Sequence, residues 1–105
     1  MYVITQSYSL IKDIENSLPV GFEPDDSEMA IIELELSDIE SGSITPNPEN
    51  GLKLAGQYAE SGNPVVILCA RNYPELELWQ KVTSLENVYV AHQINQEVIK
   101  SATTG

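Results

Sequence analysis

The sequence predicts an α/β protein built on a parallel sheet, and three observations predict it. Val65 to Cys69 are five consecutive apolar residues inside the stretch NPVVILCARN, Asn63 to Asn72. A short β-branched run of this kind, without alternation, fits a strand buried on both faces. One helical pattern ends ahead of it at Ser61-Gly62, and another opens behind it at Tyr73-Pro74. Helix, central strand, helix is the unit from which parallel α/β sheets are assembled.

The other elements follow in order. Tyr2 to Thr5 (YVIT) reads as a first strand, short and β-branched. A turn at Gln6-Ser7 leads to a helix over Ser9 to Ser17, with Leu10, Ile11, Ile14 and Leu18 on one stripe and Pro19 closing it. Val20 to Phe22 reads as a brief second strand. Met29 to Leu36 (MAIIELEL) reads as a third, apolar at first and then alternating. Ser37 to Pro48 is a long polar loop, and Asn47-Pro48-Glu49 combines a cap, a first-turn proline and a carboxylate at the positive end of a helix. That helix carries Leu52, Ala55 and Ala59 on one side, with Leu54 and Tyr58 adjoining, and Gly62 suits its stop. After the central strand, Pro74 opens a helix with Leu78, Trp79, Val82 and Leu85 as its apolar stripe. Asn87 to Ala91 (NVYVA) is the last strand, and Asn95 caps a short final helix through Val98 and Ile99. The expectation is one domain, residues 1–105, with about five strands and four helices.

Composition bounds the function. The chain has 105 residues, 42% of them apolar, and a net charge of -11. No Lys or Arg lies between Asp13 and Lys53, whereas nine acidic residues fall between Glu23 and Glu49. Such a face favours solubility or docks a basic partner. Nucleic-acid binding is excluded, since phosphate contact needs a basic surface that five scattered cations do not supply. No apolar run approaches the roughly 20 residues of a spanning helix, so no membrane partner is expected. The opening MYVITQSYS lacks the basic start and apolar centre of a secretory signal. A single cysteine allows no internal disulfide and suits a reducing cytosol, so the expected compartment is the cytoplasm.

Two stretches resemble the receiver domain of two-component response regulators, which has a flavodoxin-like fold. EMAIIELELS, Glu28 to Ser37, is similar to the receiver's third strand and places Glu33 where the family has its phosphorylated Asp. PVVILCAR, Pro64 to Arg71, is similar to the fourth strand, commonly PVIVLTAR in that family. The resemblance implies a doubly wound parallel sheet of order 2-1-3-4-5. The second helix is missing or very short, because only Glu23 to Glu28 separates the second and third strands.

Against that family pattern the site positions are degenerate. The acidic pair that holds Mg²⁺ falls near Thr5, Gln6 and Ser7, none of them charged. The Thr or Ser after the fourth strand is Cys69, and the Lys after the fifth falls at Ala91 or His92. A hard divalent cation needs carboxylate oxygens, and phosphoryl transfer relies on that cation. The resemblance therefore implies a pseudo-receiver with no catalytic residue, metal or cofactor.

Individual residues have a bland reading and a sharper one. Glu33 is an ordinary strand-end carboxylate or a standing imitation of phospho-Asp. Cys69 is a small buried apolar residue or, with His92, a nucleophile pair at the carboxyl edge where α/β sheets gather ligands. Asp25, Asp26, Asp38, Glu40 and Glu49 match no calcium-loop spacing, and no glycine follows a strand in a phosphate-loop pattern. Trp79 belongs to the core or anchors an interface. The expected function is a non-catalytic module of signalling or regulation that binds a protein partner or pairs with itself as a homodimer. The alternatives are an atypical phospho-receiver or small enzyme using Glu33, Cys69 or His92, and an acidic inhibitor of a basic or nucleic-acid-binding protein.

Overall fold

A computed structural model describes residues 1–5, 8–23, 27–34 and 48–104. The turn at Gln6-Ser7, the pairs Asp25-Asp26 and Glu35-Leu36, and the loop with its Asn47 cap lie outside the described residues. Among the described residues four strands and four helices alternate: β1 (Tyr2–Ile4), α1 (Tyr8–Asn16), β2 (Ala30–Glu33), α2 (Pro48–Glu60), β3 (Val65–Leu68), α3 (Pro74–Thr83), β4 (Val88–Ala91) and α4 (Gln96–Thr104). The strands are all parallel and stand in chain order, β1-β2-β3-β4. Among the described residues no helix is long and apolar enough to cross a membrane.

The unbroken apolar run at Val65 has its explanation in β3. An inner strand with helices on both sides has no solvent face, and all four of its residues are buried. Alternate strand residues feed two cores. Ala30, Ile32, Val65 and Ile67 point toward α2 and α3, where Leu52, Ala55, Ala59 and Leu76 meet them. Ile31, Val66 and Leu68 point the other way, toward Ile14 of α1 and Val98 and Ile99 of α4. Each buried Val, Leu or Ile among them stabilises the fold by about 1.5–3 kcal/mol relative to exposure.

Helix ends follow the local chemistry. Gly62 has φ +90°, its N–H donates to the Ala59 carbonyl at 3.0 Å, and the Asn63 N–H donates to the Tyr58 carbonyl at 3.1 Å. This Schellman pair satisfies the last carbonyls of α2, and its left-handed residue favours glycine. Asn95 Oδ1 accepts the Val98 N–H at 3.0 Å and so caps α4.

Three expectations are corrected. The described sheet has four strands in order 1-2-3-4, not about five in order 2-1-3-4-5. The Val20 to Phe22 segment is a turn rather than a strand: Gly21 has φ +85°, the Phe22 N–H donates to the Pro19 carbonyl at 3.1 Å, and Val20 is fully exposed. A φ of that sign at the third residue of a four-residue turn is the glycine position of type II geometry. On α3, Leu78 and Val82 are 63% and 82% exposed, and Leu76 is the residue buried against the sheet.

No helix separates α1 from β2 among the described residues. The chain leaves β1 on the α1 face, re-enters at the neighbouring strand, and then places α2 and α3 on the opposite face. Every step along the sheet goes the same way, so the first crossover has the opposite hand to the next two. Crossovers between parallel strands are almost always right-handed.

Candidate functional site

Parallel strands end on one edge, and the register fixes which ends are neighbours. Ile4 pairs with Ile32, Glu33 with Leu68, and Leu68 with Ala91. The residues that follow, Thr5, Cys69 and His92, therefore line up along the same edge with Glu33. The ladder runs on by one residue, for the Cys69 N–H donates to the Ala91 carbonyl at 3.0 Å.

Side-chain hydrogen bonds from Thr5 and His92 help to organise this edge. Thr5 Oγ1 donates to Oε2 of Glu33 at 2.7 Å. His92 Nδ1 lies 2.8 Å from the Cys69 carbonyl oxygen. A carbonyl only accepts, so Nδ1 carries the proton and a neutral ring keeps its lone pair on Nε2. The contact joining His92 to Cys69 thus runs to backbone, and Cys69 itself is 2% exposed. A nucleophile pair needs the imidazole on an activated thiol instead.

Between these groups lies a cleft of about 230 Å³. Glu33, His92 and Gln93 supply its polar rim, and Leu10, Leu68 and Ile94 its apolar walls. Its volume falls below the roughly 300–1,000 Å³ of drug-sized ligand sites. Ala91 is buried beneath the rim and offers no side-chain donor. Gln6 lies outside the described residues.

Magnesium does not fit the donor set. It prefers octahedral oxygen ligation with one or two carboxylates, whereas among the described residues the tip of β1 offers a hydroxyl that already donates to the Glu33 carboxylate. Among the described residues no three His, Cys, Asp or Glu side chains are grouped to hold a metal ion. Asp25, Asp26, Asp38 and Glu40 lie outside the described residues, and Glu49 is exposed in the first turn of α2.

Trp79 stands apart, half-buried between α3 and α2. A Cβ added to Gly56 would lie 3.8 Å from its ring, an ordinary contact, so the indole rests against α2 at this point. A groove beside it is lined by Glu49, Leu52, Lys53, Glu75 and Leu78. The strand-end reading of the sequence locates Glu33, Cys69 and His92 but not Leu10, Gln93 or Ile94. Gln93 and Ile94 directly follow the last strand, and that adjacency was the available signal.

No protein-family model, curated protein or solved structure matches this chain.

Proposed function

We propose that this chain is a receiver-like, non-catalytic module that works by protein–protein contact, with a separate partner or a second copy, in signalling or regulation. The observation that carries this reading is the hydroxyl-to-carboxylate bond from Thr5 to Glu33. It stands where the receiver resemblance would have an acidic pair around a cation, and it leaves phosphoryl chemistry without its counter-charge.

Topology supports the same reading. With right-handed crossovers, the order 2-1-3-4-5 puts the first and last helices on one face and the others on the opposite face. Removing the second strand and second helix from that plan leaves four strands in chain order. The first and last helices then share a face, as α1 and α4 do. The reversed first crossover becomes the scar of a lost edge strand. On the α2 side that loss leaves Tyr2 47% exposed, tilted against Tyr58 with ring centroids 5.3 Å apart. Together with exposed Leu78 and Val82, it gives the surface apolar side chains that a partner would cover.

The test has two arms. Treatment with Mg²⁺ and a small phosphodonor is expected to add no phosphoryl mass to the intact chain; stoichiometric labelling at Glu33, His92 or Cys69 supports instead the atypical receiver or enzyme, a reading favoured by the convergence of Glu33 and His92 on one cleft. Light scattering at micromolar concentration and crosslinking in cells then ask whether the partner is self or another protein. A clean monomer that crosslinks to nothing overturns the interaction reading.

A further inference from the structure

The carboxyl-edge cleft has a chemistry that protein contact does not use. In open α/β sheets, ligands settle outside the carboxyl ends of strands where successive connections leave for opposite faces. Two such points occur here. The connection after β1 leads to α1 on one face, and that after β2 to α2 on the other; β3 and β4 repeat the divergence with α3 and α4. The cleft spans both, with Leu10 from α1 on one side, Glu33 at the end of β2, Leu68 at the end of β3, and His92 to Ile94 after β4.

Two of its polar side chains, Glu33 and His92, present acceptors, and Gln93 adds an amide that can donate or accept. Thr5 occupies Oε2 of Glu33, which leaves Oε1 without a hydrogen bond among the described residues. His92 spends its Nδ1 proton on the Cys69 carbonyl, which leaves Nε2 as an acceptor in the neutral ring. Glu33 and His92, each with an acceptor unused among the described residues, line one small cavity with apolar walls, in a chain whose net charge of -11 raises the local concentration of cations. Among the described residues no three His, Cys, Asp or Glu side chains are grouped here to hold a bare metal ion.

We infer that this cleft binds a small primary ammonium compound: the charged nitrogen donates to Glu33 Oε1 and His92 Nε2, and a short alkyl chain lies on Leu10, Leu68 and Ile94. Three N–H donors match two fixed acceptors and leave one for water. The small volume limits the ligand to a few carbons. This inference is independent of the interaction reading, since neither arm of the earlier test measures small-molecule binding.

The test is an amide-resolved NMR titration of the full chain with butylammonium chloride, and with 1-butanol and zinc chloride as comparison probes. Saturable shifts confined to the amides around Glu33, Ala70 and His92 to Ile94 are expected with the ammonium alone. Glu33→Gln keeps an acceptor for Thr5 and removes the charge, so it preserves the spectrum of the fold; binding then weakens about tenfold or more, the effect of losing one charge-assisted hydrogen bond. His92→Phe keeps the ring and removes Nε2, and also weakens binding. Non-saturable shifts, equal response to 1-butanol, unchanged affinity in Glu33→Gln, or saturable shifts there with zinc and not with the ammonium would each overturn the inference.

Discussion

Thr5 and Glu33, 28 residues apart in sequence, are joined by a 2.7 Å hydrogen bond across the carboxyl ends of β1 and β2. It fastens the three-residue edge strand to its neighbour at the point where the ladder stops. A hydrogen bond to a charged group contributes about 1.5–3 kcal/mol when buried, and about 1 kcal/mol is expected at this half-buried site. Thr5→Val should lower stability by that amount, whereas Thr5→Ser should retain most of it. Urea unfolding of the two variants measures the difference.

Gly51 and Gly56 lie in the same helix and should respond oppositely to alanine. A Cβ at Gly51 would sit 2.9 Å from Leu34 Cδ1 and 3.4 Å from Leu34 Cα, and Leu34 is wholly buried, so it has no room to yield. Overpacking of this kind costs about 1–3 kcal/mol and outweighs the helix preference for alanine, which is about 1 kcal/mol. At Gly56 the nearest atom is a Trp79 ring carbon at 3.8 Å, an ordinary contact. Gly51→Ala should lower the thermal midpoint, and Gly56→Ala should hold or raise it.

Asn87 ties two elements together through one side-chain amide. Its Nδ2 donates to the Ala59 carbonyl at 2.9 Å and to the Asn63 carbonyl at 2.7 Å, clamping the end of α2 to the start of β4. Asn87→Ala should cost about 2 kcal/mol, roughly 1 kcal/mol for each bond lost. Asn87→Asp should cost at least as much near neutral pH, because a carboxylate only accepts and would face two carbonyl oxygens. That deficit should shrink in acid, where the protonated side chain regains a donor; unfolding at several pH values shows the trend.

On α3 the exchange of inner and outer residues gives a sharp contrast. Leu76→Ala removes a side chain 5% exposed and should cost about 2–5 kcal/mol. Leu78→Ala and Val82→Ala should change stability by no more than about 0.5 kcal/mol, as exposed substitutions do. If α3 carries the proposed partner surface, those two variants lose binding while their unfolding curves stay in place.

What the sequence makes legible is chemistry carried by neighbours along the chain. The Asn95 cap, the Gly62 stop and the fully buried run at Val65 each announce themselves in a few residues, and the structure places them as read. Strand ends were legible too, which is why Glu33, Cys69 and His92 were brought to one edge. What was not legible depends on the third dimension. Leu78, Trp79, Val82 and Leu85 recur at helical spacing, yet only Trp79 and Leu85 pack with Leu76 against the core while Leu78 and Val82 face out, and no local pattern says where that division falls. Val20-Gly21-Phe22 was misread for the opposite reason: its apolar residues suggested a strand, while the glycine two places after Pro19 already called for a turn. The Thr5–Glu33 bond spans a register that exists only after the strands have paired.

The sheet's strands stand in the order in which a ribosome makes them. Each new strand can therefore join the exposed edge of the one before it, and none has to be inserted between partners already paired. Pairing each strand with its neighbour in the chain costs less loop-closure entropy than an order that inserts a later strand between distant partners. It also means that, until β3 emerges to pair with it, the backbone N–H and C=O groups along one edge of β2 are bare, so the interval between those two strands is when a growing chain is most exposed to pairing with another.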